Sequence, residues 1–245
     1  MSLWRLEYLR WVRTKRILWL TAVHVFFGVT GPVSIRYVPE LLERLQPDMP
    51  LPPLPVTPEA ALGDYQGNAL QIGLLVAAFL AASAISVDGK PPIAVFFRTR
   101  LPARRFLTPR VAAAWLAAVV AYSAGLVAAW ATTERLIGDV PEGSLLGGMV
   151  LTWVFLAFAV LAVLGASSLV RSVPMSGVLA LGFLLVLGIA GAVPRIGDWL
   201  PGELAGAVPG ILTGATSWRT GVVGAGGLGV LIGWAALRRL ERREI

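Results

Sequence analysis

Few side chains in this 245-residue chain could make or break a bond, and each lacks the company its chemistry needs. His24 is the sole histidine, and within an apolar run it reads either as a proton relay or as a hydrogen-bonded packing residue. Gly165-Ala166-Ser167-Ser168 sets serines in another apolar run, the setting of intramembrane proteolysis. A serine nucleophile needs a neighbouring base, and no histidine follows it in the chain. Lys90 follows Gly89 as a phosphate-loop lysine would, yet Ala84 stands at the first glycine position and Pro91 at the hydroxyl position. The amide cradle and the magnesium ligand therefore both fail. With no cysteine there is no disulfide, thiolate zinc site or thiol nucleophile, and no glutamate pair or His/Glu cluster suggests a metalloprotease. The expectation is a chain that is not an enzyme and that binds no metal or cofactor itself.

What remains is charge. Residues 88 to 110, DGKPPIAVFFRTRLPARRFLTPR, combine six basic residues with an apolar centre. A short helix from about Pro91 to Phe97 would present Ile93, Phe96 and Phe97 to a partner or to a leaflet, flanked by Lys90, Arg98, Arg100, Arg104 and Arg105. Asp88 could pair with one of those arginines and brace the preceding element. The plainer alternative is a basic loop lying on lipid headgroups.

Six apolar runs must position this segment: Ile17 to Arg36, Asn68 to Val87, Val111 to Ala131, Leu145 to Val170, Pro174 to Val193 and Ser217 to Leu237. Each holds about 20 residues or more, enough at about 1.5 Å per residue to cross a hydrocarbon core of about 30 Å. The expected fold is an all-α integral membrane protein forming one six-helix domain over 1–245. Sixteen of the 21 Lys and Arg fall in the N-terminus, the 88 to 110 connection, the 171 to 173 link and the tail, and ten of the 14 acids fall on the other side. The positive-inside rule then puts both termini in the cytosol. A formal charge of +7 reads as topology and contact with anionic lipid, not nucleic-acid binding. Arginine outnumbers lysine 19 to 2, a codon bias that points to a GC-rich bacterial genome and so to the bacterial cytoplasmic membrane. The first run is too long for a cleaved signal core and is read as a permanent span.

Four other segments have their own character. Residues 1 to 16 put Trp4, Tyr8 and Trp11 on one arc of a helix with most arginines elsewhere, either an interfacial helix on the inner leaflet or a simple basic anchor. The outer loop 37 to 67 contains PDMPLPPLPVTP, six prolines in twelve residues, expected to be extended. The outer segment 194 to 218 is apolar but broken by Pro201 and Pro209, as short re-entrant helices would be. Gly229 and Gly233 in the last run form a GxxxG pair for close helix packing, within the subunit or across a dimer.

At these residues the chain resembles the permease subunits of type-2 ABC exporters. That family has an N-terminal interfacial helix, here Trp4 to Arg16. An acid and a glycine end its second span (Asp88, Gly89), and a coupling helix follows (about Lys90 to Phe97). A Pro-x-x-Arg element precedes the third span (Pro102-Ala103-Arg104-Arg105), and outer re-entrant helices precede the sixth (194 to 218). The family's Gly-Thr-Leu after the acid reads Gly89-Lys90-Pro91 here. The resemblance implies a second permease, as homodimer or heterodimer, and two copies of a separate ABC ATPase carrying ATP and magnesium. It also implies efflux of cargo, and the sparse polarity of the spans suits a hydrophobic or amphipathic drug, peptide or lipid. A different class remains open: a non-transport scaffold, immunity or sensor subunit binding a soluble cytosolic partner through the same basic loop.

Overall fold

Ser2 accepts a hydrogen bond from the Arg5 amide at 3.4 Å and caps helix α1, Leu3–Arg13. The inner face of α1 runs Leu3, Glu7, Trp11 at helical spacing, with Glu7 and Trp11 buried. The helix closes where the Thr14 hydroxyl bonds the Arg10 carbonyl and Lys15 takes a left-handed φ of 56°. A lysine there costs about 1 kcal/mol, so the joint is a defined corner. Beyond it the chain turns into α2, Arg16–Leu45.

The computed structural model describes residues 2–45, 55–86, 102–214 and 218–242. After α2 come α3 (Pro58–Asn68), a π-helical turn (Ala69–Gly73) and α4 (Leu74–Ile85), then α5 (Ala103–Leu136), α6 (Glu142–Leu169) and α7 (Val173–Ala190). A 3-10 turn at Gly197–Trp199 and two short helices, α8 (Gly202–Ala205) and α9 (Ala207–Leu212), precede α10 (Trp218–Arg242). Among the described residues, six helical stretches are long and apolar enough to cross a membrane: α2, the continuous α3 to α4, α5, α6, α7 and α10. The described residues contain no strand.

Helix α6 is the central post, with 56% of its most apolar window buried; α7, with 22%, is peripheral. Alanines let the inner helices approach closely: Ala78, Ala81, Ala82 and Ala84 of α4 share a buried cluster with Ala114 and Ala117 of α5, and Ala77 shares one with Ala121. Helix α2 lies along α5 with Gly28 against the Gly125 carbonyl, a contact with no room for a Cβ. The large exposed side chains Val178, Leu185, Val186 and Ile189 of α7, and Val230 and Leu231 of α10, form the outer apolar surface.

Three boundaries differ from the sequence expectation. The first span continues past Arg36 to Leu45 through Pro39, with Arg36 and Glu40 paired at 2.6 Å one turn apart. The second begins at Pro58, ten residues before the expected Asn68, because Thr57 caps the Ala60 amide and Pro58 occupies the first helical position. The stretch expected as an outer loop, 37 to 67, is thus helical at both ends. Likewise α5 begins at Ala103, so the last turns of the 88 to 110 connection belong to the third span. Pro109 lies inside this helix, in its second turn, where it forgoes the hydrogen bond to the Arg105 carbonyl, and the helix nevertheless runs on through it.

Candidate functional site

Two polar clusters lie inside this apolar frame. The first is a clamp at the end of the bundle where α1, α4 and α5 meet. Glu7 accepts from Arg110 Nε at 3.1 Å, with both side chains less than a tenth exposed, and lies 3.5 Å from Arg10. Arg10 donates in turn to the carbonyls of Ser83 at 3.1 Å and Ala84 at 3.4 Å, in the last turn of α4. Glu7 and Arg10 thereby join α1 to the two helices that flank residues 87 to 101, Glu7 to α5 and Arg10 to α4. Ser86 donates to Ser167 of α6 at 3.3 Å, and Arg104 in the first turn of α5 lies 3.5 Å from Glu241 in the last turn of α10. Four spans are therefore cross-linked around one end. The Arg110 guanidinium also stacks 5.6 Å from the Phe106 ring.

The second cluster lies between α2, α3, α5, α6 and α8. Tyr65 donates its single hydroxyl proton to the Tyr122 carbonyl at 2.8 Å, so its contact with His24 Nδ1 at 3.4 Å requires Nδ1 to be the donor. Tyr122 donates to Gln66 Oε1 at 2.5 Å; Gln66 Nε2 donates to the Ala205 carbonyl and to Thr152 Oγ1, and Thr152 donates to the Gly148 carbonyl. The imidazole sits over Gly73, the last residue of the π-helical turn: a Cβ there would come within 2.5 Å of its Cε1. Gly125 makes the matching space on α5, where a Cβ would meet Tyr65 Oη at 2.5 Å and the His24 carbonyl at 2.6 Å. The hydroxyls and the Gln66 amide in this chain each have a partner, so the cluster fixes the relative positions of five elements. Its chemistry is that of a structural network, and of the two readings of His24 it favours the packing residue.

Of the residues that sequence reasoning assigned to coupling, Asp88, Gly89, Lys90, Ile93, Phe96, Phe97, Arg98 and Arg100 lie outside the described residues. Arg104 and Arg105 are exposed in the first turn of α5. The aromatic arc divides: Trp4 and Tyr8 are exposed, whereas Trp11 is buried beneath the bundle in the cluster that holds Ile85 and Phe106. Trp11 continues the Leu3 and Glu7 face, and that face, not the aromatic arc, meets the other helices. Gly229 and Gly233 face Leu161 of α6, at 3.1 and 3.5 Å from an added Cβ, so the GxxxG face packs within the subunit. Ser167 has Ser86, not His24, as its hydrogen-bond partner. Sequence reasoning missed Glu7 and Arg110. The available signal was that Glu7 is the only acid in the first 35 residues, among five bases.

The fold and these two clusters define the class: a multi-pass membrane protein whose described residues form helices and no strand, with six candidate spans among them. Comparison with protein-family models, with curated proteins and with solved structures finds no match, so any narrower reading rests on this chain's own residues.

Proposed function

We propose that this chain is the permease subunit of an ATP-driven exporter of the type-2 ABC kind, in the bacterial cytoplasmic membrane with both termini cytosolic. Two permeases work with two separately encoded ATPases, and the cargo is hydrophobic or amphipathic. The observation that carries this reading is the clamp: Glu7, Arg10 and Arg110 tie the helix before 87 to 101 and the helix after it to α1. A basic cytosolic connection anchored only to lipid has no need of such a tie. A segment that is pushed does, since force on it must enter α4 and α5 together rather than splay them.

In this reading α1 lies at the inner leaflet, with the exposed Trp4 and Tyr8 at headgroup level. Residues 90 to 97 are the element the ATPases press, with Ile93, Phe96 and Phe97 as apolar knobs and Arg98, Arg100, Arg104 and Arg105 supplying charge complementarity. The push travels up α5 to α2, which share the Gly28 and Gly125 contact, and up α4 to the π-helical turn beside His24. π-helical turns of this kind recur at functional sites. On the far side, the short helices dip back as re-entrant pieces, α8 between α6 and α10 and α9 between α6 and α3, with Leu204 and Val208 buried.

The test is to purify the chain from its host in mild detergent and weigh the complex by native mass spectrometry. Two permeases with two Walker-motif ATPases, whose turnover changes in the reconstituted complex on Arg104→Glu or Phe97→Asp, is the expected result. A stable chain with no ATPase companion overturns the reading in favour of a scaffold, immunity or sensor subunit.

A further inference from the structure

Between α6, α7 and α10 lies a cleft of about 670 Å³, within the range of about 300–1,000 Å³ typical of small-molecule sites. Its floor is Ala162, Gly165 and Ala166 of α6, and its walls include Leu179 and Phe183 of α7 and Ile232 of α10. Apart from Ser168, whose hydroxyl donates to the Gly165 carbonyl at 2.6 Å, and the Trp234 indole, the side chains lining it are apolar up to Arg238, Arg239 and Arg242 near the α10 C-terminus. Trp234, which lines the cleft, is itself exposed. The cleft therefore pairs a long apolar slot with a cationic mouth.

The three arginines differ in what they already hold. Arg238 stacks on Trp234 at 4.0 Å from the ring centroid, which fixes it at the rim. Among the described residues neither Arg239 nor Arg242 has a carboxylate partner; Glu241, the one acid nearby on α10, is turned to Arg104 of α5. Two guanidiniums thus end an apolar slot with their donors uncommitted. Arg242 lies about 36 Å along α10 from Trp218, which sets these guanidiniums at the surface of one leaflet while the slot runs into the hydrocarbon.

We infer that this cleft is a binding site for one anionic phospholipid of the surrounding leaflet, its acyl chain in the slot and its phosphate on Arg239 and Arg242. A water-soluble anion would satisfy the arginines but leave the slot unfilled, and a neutral apolar molecule would fill the slot but leave the arginines unmet. A phosphate lipid does both, and basic pockets between spanning helices take such headgroups. The site needs only that this end of α10 lie at a leaflet surface, so it stands whether or not the chain is an exporter.

The experiment uses the full chain in nanodiscs of phosphatidylcholine doped with phosphatidylglycerol, with retained lipid counted by native mass spectrometry after gentle release. One phosphatidylglycerol per chain, in preference to phosphatidylcholine, is expected. Arg239→Gln with Arg242→Gln should weaken retention about 25-fold. Ala235→Phe, an exposed cleft position, should abolish it with every charge in place, whereas Arg135→Gln at the other end of the bundle should leave it unchanged. Circular dichroism and gel filtration confirm that each variant remains folded. Equal retention of the two lipids, or retention indifferent to both cleft variants, overturns the assignment. So does a wild-type dimer that Ala235→Phe converts to monomer, since a second copy of the chain would then be the occupant.

Discussion

Removing the Glu7 carboxylate is the sharpest perturbation this structure offers. The side chains of Glu7 and Arg110 are 5% and 7% exposed and 3.1 Å apart, which at an effective dielectric near 20 corresponds to about 5 kcal/mol of attraction before desolvation is subtracted. Breaking a buried pair from one side costs about 3–5 kcal/mol, because the remaining charge stays buried. The two sides are not equivalent here. Glu7→Leu strips the carboxylate from two arginines at once, whereas Arg110→Met leaves Glu7 with Arg10 at 3.5 Å. We expect about 3–5 kcal/mol for the first and about 1–3 kcal/mol for the second, with the double variant less unstable than Glu7→Leu alone, since an apolar pair can replace a buried ion pair at little cost. The assay is thermal unfolding in detergent, where a loss of about 3 kcal/mol lowers the midpoint by about 6–12 °C in a chain of this length. Arg36→Ala, which breaks the half-exposed pair with Glu40, is the control and should change stability by less than about 1 kcal/mol. Additivity of the two substitutions within about 0.5 kcal/mol would refute the clamp, as would a Glu7→Leu effect no larger than the control.

Three further outcomes follow from the same geometry. Gln66→Leu removes the bonds to Tyr122 and the Ala205 carbonyl and should cost about 1–3 kcal/mol, seen as a lower unfolding midpoint with faster proteolysis of residues 197 to 212. Gly125→Ala should destabilise by about 1–3 kcal/mol because its Cβ meets Tyr65 and His24, whereas Gly226→Ala, with nothing within 4 Å, should be neutral or stabilise by about 0.5–1 kcal/mol. Gly229→Leu should lower stability through its clash with Leu161 and leave the oligomeric state in gel filtration unchanged, since that face is occupied within the subunit.

The spans were legible because a bilayer imposes length and composition on a helix, and both are properties of sequence alone. Their ends were less so. Pro39 and the proline run after Leu45 obscured the fact that α2 carries on beyond the apolar stretch, and the same run hid the Thr57-Pro58-Glu59 signal that starts α3. That error had a consequence for the polar core. Tyr65 and Gln66 were assigned to an outer loop, so neither was set beside His24, and the network that joins five elements went unseen. Pairing at long range was illegible for a different reason: Glu7 and Arg110 are 103 residues apart, and a positive-inside count treats each charge as belonging to the water. Burial turns two of those charges from topological markers into a structural joint. The difference is physical: hydropathy averages over a window, whereas a buried ion pair depends on two positions and on the helices that bring them together. The resulting division of labour is coherent. The uncharged network around His24 holds the middle of the bundle, where an ion would be costly, and the charged clamp holds the end, where Arg10 and the backbone carbonyls of α4 share its charge.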